Sequence, residues 1–117
     1  MHFSWFKVLK PGYKVWLEKD GVVFGDGLFE LLSLIHNYGS ISQAAKLMDM
    51  SYRAAWGKIK VFEKQWGISL VLSQTGGESG GGTVLTPAAV ELVECYRCFN
   101  NDMKSAMEKS FKHWFGK

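Results

Sequence analysis

The stretch bounded by Ser40 and Ser51 constrains this chain more than any other. Ser40-Ile41-Ser42-Gln43 reads as a capping box, with a serine at the cap and a glutamine three residues later. Ala44, Ala45, Leu47 and Met48 follow at helical spacing. Asp49-Met50 supply a turn, and Ser51 is a second N-cap. The next helix is expected from Tyr52 to Gln65. Its inward face is Ala55, Ile59, Phe62 and Trp66, at steps of four, three and four, and Gly67 stops it. The paired alanines let the second helix cross close over the first without steric penalty. A short capped helix, a tight turn and a longer second helix make a helix-turn-helix over residues 40–66.

The flanking segments complete one domain over residues 1–117. Tyr13-Lys14-Val15-Trp16-Leu17-Glu18, a turn at Lys19-Asp20-Gly21 and Val22-Val23-Phe24 predict a β-hairpin over 13–24. Leu28, Leu31, Leu32 and Ile35 predict a helix over 26–38, with Asp26 as its cap and Gly39 as its stop. Ile68–Leu72 is apolar and β-prone, Thr75–Gly82 is glycine-rich, and Thr83–Thr86 is β-prone again. Strand, glycine loop and strand directly after a helix-turn-helix read as a wing over 68–86. Thr86-Pro87 then opens a helix over 87–115, because proline is favoured at a first helical position. The expected fold class is α+β, mainly α: a winged helix-turn-helix with an N-terminal hairpin and a long C-terminal dimerisation helix.

Composition narrows the function classes. With 47% hydrophobic residues, five Trp and eight Phe, the chain can build a core. Its formal net charge is only +3, enough for a local basic patch and no more. No apolar run approaches the ~20 residues that span a bilayer, and no signal peptide is read at the start, so the cytoplasm is expected. No nucleophile–base set, paired-carboxylate motif or phosphate loop is visible, so no enzyme and no cofactor are expected. Cys95 and Cys98 form a lone C-x-x-C inside a helical pattern. A structural zinc site needs about four ligands, so the pair reads as two reduced thiols in or beside a packing face.

The second helix of a helix-turn-helix enters the major groove of double-stranded DNA with its N-terminal part. Tyr52, Arg53, Trp56, Gly57 and Lys60 stand opposite its inward face. Arg53 can read guanine or hold a phosphate; Tyr52 can bond a phosphate or press on a thymine methyl. Trp56 either lies against the DNA backbone or belongs to the core. Gly57 allows close approach of either DNA or another helix. Ser40, Ser42, Gln43 and Ser51 sit at helix starts, where hydroxyls and free N–H groups can cap, hold a phosphate, or do both. Gly77, Gly80 and Gly81 of the wing tip offer backbone N–H groups, but the tip carries Glu78 and no Lys or Arg. Leu92, Tyr96, Phe99 and Met103 form a stripe longer than a small core needs. It is expected to meet a second copy of the chain, or else to pack back on the N-terminal hairpin.

Gly39-Ser40-Ile41-Ser42-Gln43-Ala44-Ala45, Ser51-Tyr52-Arg53-Ala54-Ala55-Trp56 and the Gly76–Thr86 wing resemble the N-terminal DNA-binding domain of the molybdate-responsive ModE family. The first of these motifs also resembles the LysR-type regulators. The resemblance covers roughly residues 13–100. It implies a winged helix-turn-helix regulator, dimeric through its first and last helices, on a palindromic operator. In that family molybdate binds a separate C-terminal domain, which is not expected in this chain. Leu72-Ser73 and Glu78 depart from the family, which commonly carries Glu-Arg and a basic residue there. The competing reading is a winged-helix interaction module that has lost DNA binding.

Overall fold

The computed structural model describes residues 4–74 and 82–116. Gly77, Glu78, Gly80 and Gly81 lie outside the described residues. A 3-10 turn at Ser4–Val8 precedes β1 (Leu17–Lys19) and β2 (Val22–Phe24). Then come α1 (Asp26–Tyr38), α2 (Ile41–Leu47), α3 (Tyr52–Trp66), β3 (Val71–Gln74), β4 (Gly82–Leu85) and α4 (Pro87–Phe115). This is the expected α+β winged helix-turn-helix order.

The first hairpin is shorter than the sequence pattern suggests. Only Leu17–Lys19 pairs with Val22–Phe24, in the register Leu17↔Phe24 and Lys19↔Val22. Asp20 and Gly21 both take positive φ, 51° and 81°. A two-residue loop of that hand matches the strand twist and closes the hairpin tightly. Residues 13–16 run on without a ladder and lie along α4 instead. The Tyr13 hydroxyl donates to Asn100 Oδ1 at 3.0 Å, and Val15 O accepts from the Tyr96 hydroxyl at 3.0 Å. At the far end the Phe6 and Phe115 rings sit 5.0 Å apart. The N-terminal segment thus runs antiparallel to α4 over most of its length.

Asp26 is not the cap of α1. Gly25 occupies the N-cap position without a side-chain bond, and Asp26 begins the helix. Its carboxylate accepts from the Tyr96 hydroxyl at 2.6 Å, a long-range bond that competes with local capping. The other helix signals appear as read. Ser40 Oγ accepts from Gln43 N, Ser51 Oγ from Ala54 N, and Thr86 Oγ1 from Ala89 N. Gly39 and Gly67 end their helices in the left-handed region, at φ 69° and 72°.

The first wing strand also starts later than expected, at Val71, while the second starts at Gly82, one residue early. Ile68–Leu70 is not strand. Leu70 N donates to Glu63 Oε2 at 2.6 Å, and Ser69 O accepts from Thr86 Oγ1 at 2.6 Å, so side chains hold this segment before any ladder begins. From there β3 and β4 pair antiparallel, Val71 opposite Leu85 and Gln74 opposite Gly82. Thr83 N donates to Gly39 O at 2.9 Å and ties β4 to the end of α1.

One core joins these elements. Phe24, Leu31, Leu32, Ile35, Ile59, Phe62, Leu70 and Tyr96 are almost wholly buried. Phe24 packs edge-on against Tyr96 at 5.1 Å and tilted against Phe62 at 5.6 Å. Ala44, Ala45 and Ala55 are buried at the α2–α3 crossing. A larger side chain there would overpack a tight contact, at a cost of about 1–3 kcal/mol.

The stripe on α4 divides differently from the sequence reading. Its core face is Ala89, Val93 and Tyr96. Tyr96 is 1% exposed and belongs to the core, not to an outward interface. Its ring fills the space between Phe24 and Phe29, and its hydroxyl reaches Asp26 across the fold. Leu92 is half-buried against the same core. Phe99 and Met103 face outward, each 38% exposed. Beyond them α4 extends from the body of the molecule, which measures 67 × 28 × 21 Å.

Candidate nucleic-acid interface

Two capped helix starts shape the candidate surface. The caps put Ser42 and Gln43 on the exposed first turn of α2, and Tyr52 and Arg53 on the exposed first turn of α3. Between them lies a shallow polar cleft lined by Ser42, Lys46, Asp49, Met50, Ser51 and Tyr52. The turn into it needs Asp49 at φ 56°, a left-handed conformation that Asp tolerates better than most residues. Lys46 was missed by the sequence reading. It falls one helical turn after Ser42, so the signal was its spacing, and it adds the cation this cleft otherwise lacks. Arg53 makes no hydrogen bond or ion pair among the described residues and is exposed, so its guanidinium is free for a ligand.

Tyr52, Trp56 and Lys60 form a ladder up α3. The Tyr52 and Trp56 rings are stacked at 6.4 Å, only 8° from parallel. Lys60 Nζ lies 4.3 Å from the centre of the Trp56 ring. Trp56 is half-buried against the core, which agrees with the core role left open for it, while its ring carries these two neighbours. Gly57 is not a site of close helix packing, because a Cβ built there meets nothing within 4 Å.

Lys60 is already engaged. Its ammonium donates to Glu63 Oε1 at 2.9 Å, while Glu63 Oε2 accepts from Leu70 N at 2.6 Å and Val71 N at 3.4 Å. Burial by itself would raise the Glu63 carboxyl. The Lys60 ammonium and the two backbone N–H groups outweigh it, and the net shift is downward. Glu63 therefore links α3 to the root of the wing. Sequence inspection passed over it because its backbone partners, Leu70 and Val71, lie beyond Gly67.

Cys95 and Cys98 are both exposed on α4. Desolvation by neighbouring groups and the Glu94 carboxylate, whose Oε1 lies 3.8 Å from Cys98 Sγ, push the Cys98 thiol above its ordinary value. That is the direction opposite to an activated thiolate.

Residues 27–90 match the family described as bacterial regulatory helix-turn-helix proteins of the lysR type, more than half of the chain. The chain belongs to this lysR family. The chain is 39% identical over 80 residues to the molybdenum-pterin-binding protein MopB of Rhodobacter capsulatus, covering 68% of this chain and 30% of that protein. It is 36% identical over 89 residues to the molybdenum transport protein ModE of Azotobacter vinelandii, covering 76% and 33%. With the DNA-binding transcriptional dual regulator ModE of Escherichia coli it shares 42% over 66 residues, covering 56% and 25%. The chain thus spans about a third or less of the length of these relatives, and the match fits a ModE-like N-terminal domain. The solved structure of ArgP from Mycobacterium tuberculosis shares the fold, with a TM-score of 0.53 at 20% identity over 73% of this chain and 30% of that one. Among the described residues no helix is long and apolar enough to cross a membrane.

Proposed function

We propose that this lysR-family chain is a sequence-specific, DNA-binding transcription regulator that acts as a homodimer on a palindromic operator in the cytoplasm. The observation that carries the reading is Arg53, exposed on the first turn of α3 and without a hydrogen bond or ion pair among the described residues. In this reading the start of α3 enters the major groove. Arg53 and Tyr52 reach bases or phosphates, and Ser42, Gln43 and Lys46 hold the adjoining backbone. Phe99 and Met103 on the projecting α4 supply the contact with the second copy. The role is regulatory and non-enzymatic. The names of the ModE relatives support it, as does the polar lining of the cleft, where Lys46 and Asp49 are the charged groups.

Selection of bound fragments from genomic DNA supplies the operator for the test. Arg53→Ala is expected to weaken that complex by ~1–3 kcal/mol while changing a scrambled duplex less, as loss of a base contact does. Equal loss on both duplexes would reduce Arg53 to a phosphate contact, and no loss on either would refute the docking. The low net charge of +3 favours one second reading, an interaction module without DNA binding. Salt-independent binding, or no binding, to mixed duplex DNA would select it.

A further inference from the structure

On the flank of α3 away from the wing, a groove of about 750 Å³ opens between that helix, the first hairpin and the start of α1. It is an open groove on the surface and not an enclosed cavity. Leu28 and Phe62, both buried, lie at its base. Trp16, Val23 and Val61 line it while remaining 49%, 46% and 61% exposed. Lys14 and Lys58 complete the lining, and neither makes an ion pair or hydrogen bond among the described residues. The one carboxylate present, Asp26, is occupied by the Tyr96 hydroxyl, which leaves two cations facing a single anion.

Gly57 adds an independent observation. Glycine is the weakest helix former after proline, yet this one sits in mid-helix with open space where its Cβ would be. Neither backbone conformation nor packing within the chain calls for it. Gly57 lines the groove, where a bare backbone lets a flat ligand lie against the helix. Lys14 and Lys58 could each meet a phosphate, but Trp16, Val23 and Val61 make up much of the exposed lining and favour an occupant with an apolar face.

We propose that this groove binds a small aromatic carboxylate. The ring stacks on Trp16 between Val23 and Val61, over the bare backbone of Gly57, and the carboxylate pairs with Lys14 and Lys58. If α3 reads DNA as proposed above, a ligand on its flank is placed to act as an effector; binding to the groove itself does not depend on that reading.

The test uses the full chain without DNA and naphthoate as the probe, followed by backbone amide spectra. Saturable shifts at Val23, Gly57 and Val61 are expected, with naphthamide and acetate binding much more weakly. Lys14→Glu with Lys58→Glu should weaken naphthoate by about tenfold or more, the size of one charge-assisted contact. Gly57→Leu should abolish binding by filling the groove, with helicity checked by circular dichroism. Absence of saturable shifts in the folded parent overturns the proposal, as do shifts centred elsewhere. Naphthamide binding as tightly as naphthoate, or an unchanged affinity in the double Glu variant, overturns it too. Should Gly57→Leu not fold, the surface lysine pair decides alone. Operator affinity with and without naphthoate, measured separately, reports on the DNA reading and not on the groove.

Discussion

Replacing Tyr96 by Phe removes one oxygen from the centre of the fold and leaves the ring in place. The ring is 1% exposed and packs on Phe24 and Phe29, so no cavity of consequence forms. The hydroxyl has a single proton, shared between Asp26 Oδ1 at 2.6 Å and Val15 O at 3.0 Å. Burial, then the hydrogen bond and charge of Asp26, push its ionisation above the ordinary tyrosine value of 10.0, so it remains a donor. A hydrogen bond to a charged group contributes about 1.5–3 kcal/mol. Asp26 is on an exposed helix start, where water can replace the lost donor. We therefore expect Tyr96→Phe to cost ~1–2 kcal/mol, at and somewhat below the lower end of that range. For a chain of this size that is a fall in Tm of roughly 4–8 °C. Calorimetry of the parent, Tyr96→Phe, Asp26→Ala and the double variant closes a thermodynamic cycle. A coupling of about 1 kcal/mol between the two sites is expected, because they share the bond. A Tm within a degree or so of the parent, or additive effects of the two changes, would refute the idea that this bond pins α1, α4 and the N-terminal segment together.

Glu63 should make stability sensitive to acid. Its folded ionisation lies below the ordinary 4.5, so its contribution is complete above that value and is lost as the pH falls through the lower, folded value. Glu63→Gln is expected to flatten this acid limb in pH-dependent urea unfolding; an unchanged limb would place the sensitivity elsewhere. Phe99→Asp with Met103→Asp should give monomers of unchanged helicity, because both side chains point outward; sedimentation finding a monomeric parent would remove the premise. Ser51→Ala strips the cap from α3 and should cost ~1 kcal/mol of stability. It should also weaken operator binding by loosening the turn that carries Tyr52 and Arg53, and an operator affinity equal to the parent's would detach the cap from function.

Much of this was legible because its causes are local. Ser40, Ser51 and Thr86 bond the N–H group three residues ahead, and Gly39 and Gly67 end helices by a backbone conformation of their own. Such signals lie within one turn of chain, so the helix-turn-helix, the helix bounds and the order of the wing could be read directly. Periodicity in α4 likewise showed an apolar stripe, but a period gives only direction and not what lies opposite. Tyr96 was expected to meet a second copy or else to pack back on the N-terminal hairpin, and it takes the second course, against Phe24 and Val15, reaching residues 70 and 81 positions away. Asp26 looked like a cap until that same hydroxyl drew its carboxylate away. The strands were misplaced at both hairpins because, in the observed registers, residues 13–16 and 68–70 face residues 25–28 and 86–88, where α1 and α4 begin, so no extended partner stands opposite them; Tyr96 and Glu63 bond Val15 O and Leu70 N there instead.

The sequence by itself determined the succession of elements and the exposed Arg53 at the head of α3, since caps, stops and spacing are properties of neighbouring residues. Only the tertiary structure decided which side of α4 is core, that Lys60 answers to Glu63, and that Trp16, Val23 and Val61 meet beside Gly57 as one groove. Each of those depends on groups brought together across the chain, where no local pattern records the partner.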